Sequence, residues 1–232
     1  AARPAPVPII LLSGFLGTGK TTLLKHWLEN SEGRIGVVVN DVASVNIDAK
    51  LIKSREKGGM SQVDTIQLQN GCACCSLGDE LLLSIYDLLQ LAQKDKPFSH
   101  IVVELSGVAE PQRVREIFRD AELTGIPFAQ DIELSKVVTV MDSSTFCTDY
   151  MAYSQLIDRP DLYEDGADEQ AEVKVVELLM EQVEAADVVV MNKTDLADEG
   201  KLEATRAVVM TLNKDATIVE TSFGKVSLSA LV

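Results

Sequence analysis

The sequence predicts a three-layer α/β fold with a mainly parallel central sheet. Runs of β-branched and apolar residues of strand length alternate along the chain with amphipathic stretches of helix length. The apolar runs are nearly continuous instead of alternating with polar residues, which is typical of strands buried on both faces. With 232 residues and 46% hydrophobic content, the chain can form a single sizeable core, so we expect one domain over residues 1–232.

Seven apolar runs and five amphipathic stretches account for this pattern. The apolar runs predict strands over Val7–Ser13, Arg34–Asn40, Asp64–Gln69, His100–Leu105, Lys136–Met141, Asp187–Met191 and Ala216–Glu220. The amphipathic stretches predict helices over Lys20–Glu29, Leu77–Gln93, Glu110–Arg119, Asp168–Ala185 and Glu199–Leu212. The acidic, turn-rich segment Asp158–Gln170 interrupts the alternation and is interpreted as a surface insertion.

The charge of the chain limits its partners. It has 21 Lys and Arg against 36 Asp and Glu, a formal charge of −15. This balance argues against nucleic acid or an anionic membrane as the main partner. No apolar run reaches the roughly 20 residues that span a bilayer, so we expect a soluble protein. The chain starts without Met and stops at Val232 inside an apolar stretch, so we expect it to be a portion of a longer protein.

The strongest motif is GFLGTGKTT, which matches GxxxxGK(S/T) directly after a predicted strand and before a predicted helix. This context is that of a P-loop NTPase, in which backbone N–H groups converge on phosphate oxygens at a helix N-terminus. Lys20 is predicted to reach the terminal phosphates, and the Thr21 hydroxyl is predicted to ligate Mg²⁺. The predicted phosphate-binding residues are Gly14, Gly17, Thr18, Gly19, Lys20, Thr21 and Thr22.

A second motif, NKTD, predicts the identity of the base. Asn192, Lys193 and Asp195 follow an apolar strand, in a loop at the edge of the sheet where ligands of open α/β folds bind. An Asp there can accept hydrogen bonds from both N1–H and the amino group of guanine, a pair that adenine does not supply. The motif therefore favours GTP and GDP, and an ATPase that carries NKTD by chance is the alternative. Thr221–Lys225 follows the last strand and is predicted to add backbone contacts to the base.

Two acidic residues are predicted near the γ-phosphate. Glu104 and Gly107 end the buried strand of IVVELSG, where a carboxylate can hold Mg²⁺ or its water and a glycine N–H can face the γ-phosphate. Asp41 follows another strand and is predicted to contact Mg²⁺ or to orient the attacking water. A purely structural Glu104 is the alternative. The predicted catalytic residues are Lys20, Thr21, Asp41 and Glu104.

Three of the four cysteines form a CxCC cluster at Cys72, Cys74 and Cys75. Four cysteines are too few for a disulfide framework in a chain of this length, which predicts a reducing compartment: the cytoplasm, or alternatively an organellar matrix such as that of the chloroplast or mitochondrion. Clustered thiolates favour Zn²⁺ and also accept Co²⁺ or Cu⁺. Buried packing cysteines and a regulatory disulfide are the alternatives to a metal site.

Together these motifs resemble those of the CobW-type metallochaperone GTPases, relatives of the UreG and HypB nickel-insertion GTPases in the SIMIBI class of P-loop proteins. The resemblance covers essentially the whole chain. It is carried by six ordered blocks: GFLGTGKTTLL from Gly14, NDVASVNIDAKLI from Asn40, LQNGCACCSLGDELL from Leu68, IVVELSGVAEP from Ile101, VVTVMD from Val137 and EQVEAADVVVMNKTDL from Glu181.

The resemblance implies a GTP-hydrolysing domain whose CxCC thiolates carry zinc or cobalt under nucleotide control and transfer it to a client metalloprotein. It also implies that Asp41 lies in switch I and Glu104 in a Walker-B-like ExxG. The sequence departs from the family at two points, since Ser44 stands where the family has a second switch I acid and the smaller C-terminal domain is absent from this chain. We expect no nucleic acid or membrane partner. A homodimer is a possible assembly.

Two other functions stay open from the residues. In one, the chain is a nucleotide-dependent thiol redox sensor or interaction module with little turnover, in which the CxCC cysteines respond to oxidants. In the other, the chain is a GTPase whose cysteine cluster is structural, so that metal removal would unfold the domain.

Overall fold

A parallel sheet forms the centre of the computed structural model, which describes residues 5–39, 64–67, 77–94, 97–152, 154–159 and 173–231. Within these residues the sheet has seven strands in the order β3-β2-β4-β1-β5-β6-β7. In chain order they are β1 (Val7–Ser13), β2 (Ile35–Val39), β3 (Asp64–Gln67), β4 (His100–Glu104), β5 (Ile132–Asp142), β6 (Val188–Asn192) and β7 (Thr217–Glu220). Every pair of neighbouring strands is parallel.

Six α-helices accompany the sheet in the same described residues. They are α1 (Lys20–Asn30), α2 (Leu77–Lys94), α3 (Pro111–Leu123), α4 (Phe146–Met151), α5 (Val175–Glu184) and α6 (Glu199–Leu212). Short 3₁₀ helices lie at Pro127–Asp131, Leu156–Asp158, Thr194–Leu196 and Leu228–Ala230. Of these helices, none combines the length and the apolar character that crossing a membrane requires.

The helices form a layer on each face of the sheet. Because successive strand residues point to opposite faces, Ile10 and Leu12 of β1 pack with α1 and the segment 226–231, whereas Ile9 and Leu11 pack with α2 and α3. The second layer continues over β5 and β6 with α4, α5 and α6. The predicted three-layer α/β fold with a parallel sheet is therefore confirmed.

All seven predicted strands are confirmed, with small differences at their ends. The largest difference is in β5, which begins at Ile132 instead of Lys136, because partly exposed residues there pair with the start of β1 through Val7 and Ile132. The five predicted helices are also found, although residues 168–172 of the fourth lie outside the described residues. The short helix Phe146–Met151 was not predicted, since six residues are too few for a helical repeat to be recognised.

The parallel arrangement brings the carboxyl ends of the central strands to one edge. Leu12 of β1 is in register with Glu104 of β4, and Asp142 of β5 is in register with Asn192 of β6. The predicted phosphate, magnesium and base motifs all follow strands that end at this edge. The fold therefore assembles in space residues that are far apart in the sequence.

Candidate functional site

The phosphate loop connects β1 to α1 in a conformation that depends on glycine. Gly14, Gly17 and Gly19 all have positive φ. At Gly14 a Cβ atom would lie 2.1 Å from the carbonyl oxygen of Val140, so no larger residue fits there. Gly19 precedes α1 and supplies no side-chain cap, which leaves the first-turn N–H groups of the helix directed at the loop. This helix N-terminus with a glycine-rich entry is the geometry of an anion site.

Lys20 places its positive charge at the centre of this loop. Its Nζ donates to the carbonyl oxygens of Gly14 at 2.7 Å and of Phe15 at 3.1 Å, and the residue is buried. Thr18 also closes the loop, because its hydroxyl donates to the Phe15 carbonyl at 2.8 Å. Thr22, in the first turn of α1, is exposed. The structure thus brings together all the predicted phosphate-binding residues.

The predicted magnesium residues also meet. The Thr21 hydroxyl donates to Oε1 of Glu104 at 2.7 Å, although 83 positions separate them in the sequence. Glu104 ends β4 and is only 2% exposed. A hydroxyl and a buried carboxylate beside a phosphate loop are oxygen ligands of the kind that Mg²⁺ takes together with phosphate oxygens. These residues therefore fit a Mg²⁺ ion, and the same hydrogen bond is also compatible with the structural role that is the alternative for Glu104.

Asn192 of the base motif connects two loops through hydrogen bonds of its side-chain amide. Asn192 is buried, its Nδ2 donates to the carbonyl of Thr18 at 2.8 Å, and its Oδ1 accepts from the N–H of Gly224 at 3.0 Å. One amide therefore connects β6, the phosphate loop and the loop Thr221–Lys225. Asp195, three residues after Asn192, is in contrast exposed, so a ligand can reach it.

Lys193 has an ion-pair partner that the sequence analysis did not single out. It adopts a left-handed backbone conformation with φ of 58°, and its Nζ lies 2.7 Å from Oδ2 of Asp142 at the end of β5. Partial burial would raise the pKa of Asp142, but hydrogen bonds from Lys193 and Ser144 and the charge of Lys193 lower it below its ordinary value. The Asp142 carboxylate is therefore ionised at neutral pH, and its ion pair holds the Lys193 side chain near the phosphate loop. The position of Asp142 at the carboxyl end of the VVTVMD strand is the signal that could have identified it.

Helix α5 supplies a further contact that the sequence analysis missed. Gln182 is 1% exposed, and its Nε2 donates to the carbonyl oxygens of Gly107 and Ala109. Gln182 lies on the apolar face of α5 with Leu178, Leu179 and Val183, at helical spacing. A polar residue on that face was the available signal, because a buried amide requires partners.

Glu181, the neighbour of Gln182, contacts the start of α3. Its Oε1 accepts a hydrogen bond from the backbone N–H of Gln112 at 3.0 Å. Burial raises the pKa of Glu181 to about 6; the Gln112 bond opposes this shift, and the charges of Glu110 and Glu184 add to it.

This raised pKa predicts a stability change between the ordinary value of 4.5 and about 6. The folded chain binds the Glu181 proton more tightly than the unfolded chain, so this contribution to stability is full below pH 4.5 and is lost as the pH rises through about 6. Urea unfolding of Glu181→Gln should show a smaller fall in the free energy of unfolding across this window than the unsubstituted chain. Glu177→Gln, exposed on the same helix, is the matched control and should keep the original slope. An unchanged slope in Glu181→Gln would contradict the assignment.

Several predicted residues lie outside the described residues. These are Asp41, Ser44 and the cluster of Cys72, Cys74 and Cys75. Within the parts of the chain that the structure describes, no group of three or more His, Cys, Asp or Glu side chains could hold a metal ion. The fourth cysteine, Cys147, is half-buried with its Sγ 3.4 Å from the Thr205 hydroxyl.

Comparisons with known proteins agree with this geometry. The family model described as "CobW/HypB/UreG, nucleotide-binding domain" matches residues 8–220. The zinc-regulated GTPase metalloprotein activator 1 of Dictyostelium discoideum is 34% identical, over 97% of this chain and 48% of that protein. The zinc chaperone CobW of Sinorhizobium sp is 31% identical, over 100% of this chain and 63% of that protein. The chain thus spans between about half and under two thirds of the length of these curated relatives.

Solved structures share the fold. HypB from Helicobacter pylori in complex with nickel superposes with a TM-score of 0.54 at 14% identity, over 94% of this chain and 79% of that one. The 54 kDa signal recognition particle protein from Aeropyrum pernix, in complex with GDP, gives a TM-score of 0.51 at 14% identity, over 97% of this chain and 44% of that one. At these identities the similarity shows a common fold.

Proposed function

The chain belongs to the CobW/HypB/UreG family of nucleotide-binding domains, and from this membership we propose that it binds Mg·GTP and hydrolyses it to GDP and phosphate. One observation carries the proposal. The Thr21 hydroxyl lies 2.7 Å from the Glu104 carboxylate, at the start of the helix that follows the phosphate loop. A Mg²⁺ ion held by these residues would neutralise charge on the β- and γ-phosphate oxygens.

The phosphate loop supplies the other positive groups for this reaction. Backbone N–H groups of the loop and of the first turn of α1 donate to phosphate oxygens. Lys20 offers its ammonium to the terminal phosphates in exchange for the carbonyls of Gly14 and Phe15 that it now contacts. The backbone donors are set by the conformation of the loop before the substrate arrives, and Lys20 changes only its partners. Such preorganised donors lower the barrier for hydrolysis.

Hydrolysis requires an oriented water molecule. The water oxygen attacks the γ-phosphorus, the bond from that phosphorus to the β–γ bridging oxygen breaks, and the products are GDP and phosphate. We assign the orientation of this water, or a contact to Mg²⁺, to Asp41, which lies outside the described residues. Gly107, next to the phosphate loop, is assigned an N–H contact to the γ-phosphate.

Guanine selectivity is assigned to the loops that Asn192 connects. The Asp195 carboxylate is exposed at the edge where the phosphate loop lies, and it can accept both N1–H and the amino group of guanine. The Thr194 hydroxyl and N–H both donate to the Thr221 carbonyl, at 3.2 Å, which fixes the loop Thr221–Lys225 beside Asp195. These contacts support GTP in preference to ATP.

We assign a transition metal, zinc or cobalt, to Cys72, Cys74 and Cys75 as a cargo that passes to a client metalloprotein. The names of the two curated relatives support zinc. The motif also follows β3, whose Gln67 is in register with Val39 of β2, so that β3 ends at the same edge of the sheet as the phosphate loop. Free thiolates need a reducing compartment, which supports the cytoplasm or an organellar matrix.

Metal and nucleotide binding should then be coupled. Zinc affinity should differ by about tenfold between the GDP-bound chain and the chain with a non-hydrolysable GTP analogue, a coupling of ordinary size. By linkage, zinc must change the affinity for the analogue by the same factor. Isothermal titration in both orders measures the two factors. Equal zinc affinities in the two nucleotide states would refute the metal switch, whereas GTP hydrolysis measured separately tests the GTPase assignment.

Cysteine variants separate the proposed site from the alternatives. The triple variant Cys72→Ala, Cys74→Ala, Cys75→Ala should lose stoichiometric zinc and still bind GDP. Cys147→Ala is the matched control, because it removes a half-buried thiol that is not part of the cluster and lies 3.4 Å from the Thr205 hydroxyl. Zinc should protect the three cluster thiols from alkylation. Thiols that react equally with and without zinc would favour a redox sensor, and unfolding on metal removal would favour a structural cluster.

A further inference from the structure

Gln182 contacts the loop that follows β4. Its Nε2 donates to the Gly107 carbonyl at 3.0 Å and to the Ala109 carbonyl at 3.2 Å, so both N–H bonds of the amide are used on this loop. The backbone of Gln182 is held separately, because the Thr139 hydroxyl of β5 donates to its carbonyl at 2.8 Å. The two bonds of the side-chain amide to residues 107–109 are therefore separate from the bond to the backbone of Gln182.

Gly107 lies next to both this amide and the phosphate loop. A Cβ atom at Gly107 would lie 2.8 Å from the backbone nitrogen of Leu16 and 3.0 Å from its Cα. The loop itself forms a turn, in which the N–H of Ala109 donates to the Ser106 carbonyl at 3.1 Å. The Gly107 N–H belongs to the peptide unit of the Ser106 carbonyl, which the Ala109 bond holds, and the Gln182 bond holds the next peptide unit through the Gly107 carbonyl. Because glycine has no side chain to restrict its backbone, these two bonds together limit the rotations of Gly107 that set the direction of its N–H.

Packing alone does not explain a glutamine at this position. The neighbours of Gln182 on the buried face of α5 are Leu178, Leu179 and Val183, and an apolar residue there would avoid the cost of burying an amide. The amide instead satisfies two carbonyl oxygens of a loop that joins Glu104 to α3. A second bond runs from the Gln112 N–H to Glu181, so consecutive residues of α5 hold the middle of this connection and the start of α3.

We propose that Gln182 is a positioning residue for GTP hydrolysis: it holds Gly107 so that its N–H faces the γ-phosphate. The inference rests on the proposed function, because it requires GTP on the phosphate loop. GDP has no γ-phosphate, so the bond from Gln182 to Gly107 matters for the triphosphate state and for turnover. It has little bearing on the binding of GDP.

The test is the variant Gln182→Met, which keeps the length of the side chain and removes both donors. We expect kcat for GTP to fall about tenfold, as for the loss of one to two ordinary hydrogen bonds in the transition state. The affinity for a non-hydrolysable GTP analogue should also fall, while the affinity for GDP stays within about twofold. Gln182→Glu is the second variant, in which a carboxylate of the same shape faces two carbonyl oxygens, and it should lose at least as much.

Thr139→Val is the matched control, because it removes the bond to the Gln182 backbone and leaves the amide intact. Its thermal stability should fall, and its kcat should stay within about twofold of the unsubstituted chain, since no donor to Gly107 is lost. The inference is overturned if Gln182→Met and Gln182→Glu retain the original kcat. It is also overturned if they lose GDP and GTP affinity equally, or if Thr139→Val lowers kcat as much. An unsubstituted chain that does not hydrolyse GTP would refute the proposed function itself and the inference with it.

Discussion

Lys20→Ala should lower GTP hydrolysis by about 100-fold or more, because it removes the ammonium that contacts the carbonyls of the phosphate loop. The ammonium of Lys20 contacts the carbonyls of Gly14 and Phe15, which places it within reach of the terminal phosphates. The loss should be larger for GTP than for GDP, since charge on the γ-phosphate is left without its partner. Single-turnover hydrolysis and titration with fluorescent GTP and GDP analogues measure both effects.

Lys25→Ala provides the control for this substitution. Lys25 lies on the same helix, has a half-exposed side chain and faces Glu29 at 3.9 Å. The substitution removes the same charge from α1 without touching the phosphate loop, and an exposed pair of this kind contributes little to stability. Hydrolysis by Lys25→Ala should therefore match that of the unsubstituted chain. Equal activity in Lys20→Ala and Lys25→Ala would exclude the proposed phosphate site.

Asp195→Asn should weaken GTP binding by about 100-fold, because a carboxylate that accepts two donors from guanine is replaced by an amide that can accept only one. The amide N–H₂ can instead donate to the C2 carbonyl oxygen of xanthine. We therefore expect xanthosine triphosphate to bind the variant more tightly than GTP, reversing the order in the unsubstituted chain. Competition between the two nucleotides for a fluorescent analogue measures this reversal.

Asp198→Asn is the matched control for base recognition. Asp198 lies three residues further on and caps α6, where its Oδ1 accepts from the Lys201 N–H at 2.9 Å. Asn is as good a cap as Asp, so the chemical change is the same and the fold is retained. The control should keep the preference for GTP. A variant Asp195→Asn that still prefers GTP would show that the base is recognised elsewhere.

The fold could be predicted because its signals are local. Each strand is a short apolar run and each long helix an amphipathic stretch, so the seven strands and the five longer helices follow from the sequence. The start of β5 was placed too late, since Glu133 and Ser135 interrupt the apolar run and only pairing with β1 shows that they are part of the strand. Tertiary pairing decides such ends, and the sequence pattern does not contain it.

In the candidate site, too, residues in local motifs could be predicted from the sequence, and residues that depend on tertiary contacts could not. The phosphate loop and NKTD are contiguous motifs, so Lys20 and Asp195 could be proposed as site residues from their spacing. Glu104 required the additional knowledge that parallel strands end at a common edge. Asp142 and Gln182 act through partners 51 and 75 positions away, Lys193 and Gly107, and such contacts exist only once the helices are packed on the sheet.

The buried amide of Asn192 makes the two ends of the nucleotide pocket interdependent. Its nitrogen donates to the Thr18 carbonyl of the phosphate loop, and its oxygen accepts from the Gly224 N–H of the loop near the base. If either loop moves and takes the Asn192 side chain with it, the bond to the other loop is broken. A ligand that occupies only half the pocket, such as guanosine or pyrophosphate, would have to immobilise both segments while gaining contacts to one. Each fragment must order both loops on its own, whereas the intact nucleotide orders them in a single binding event. The binding free energy of the nucleotide should therefore be more favourable than the sum of the binding free energies of guanosine and pyrophosphate.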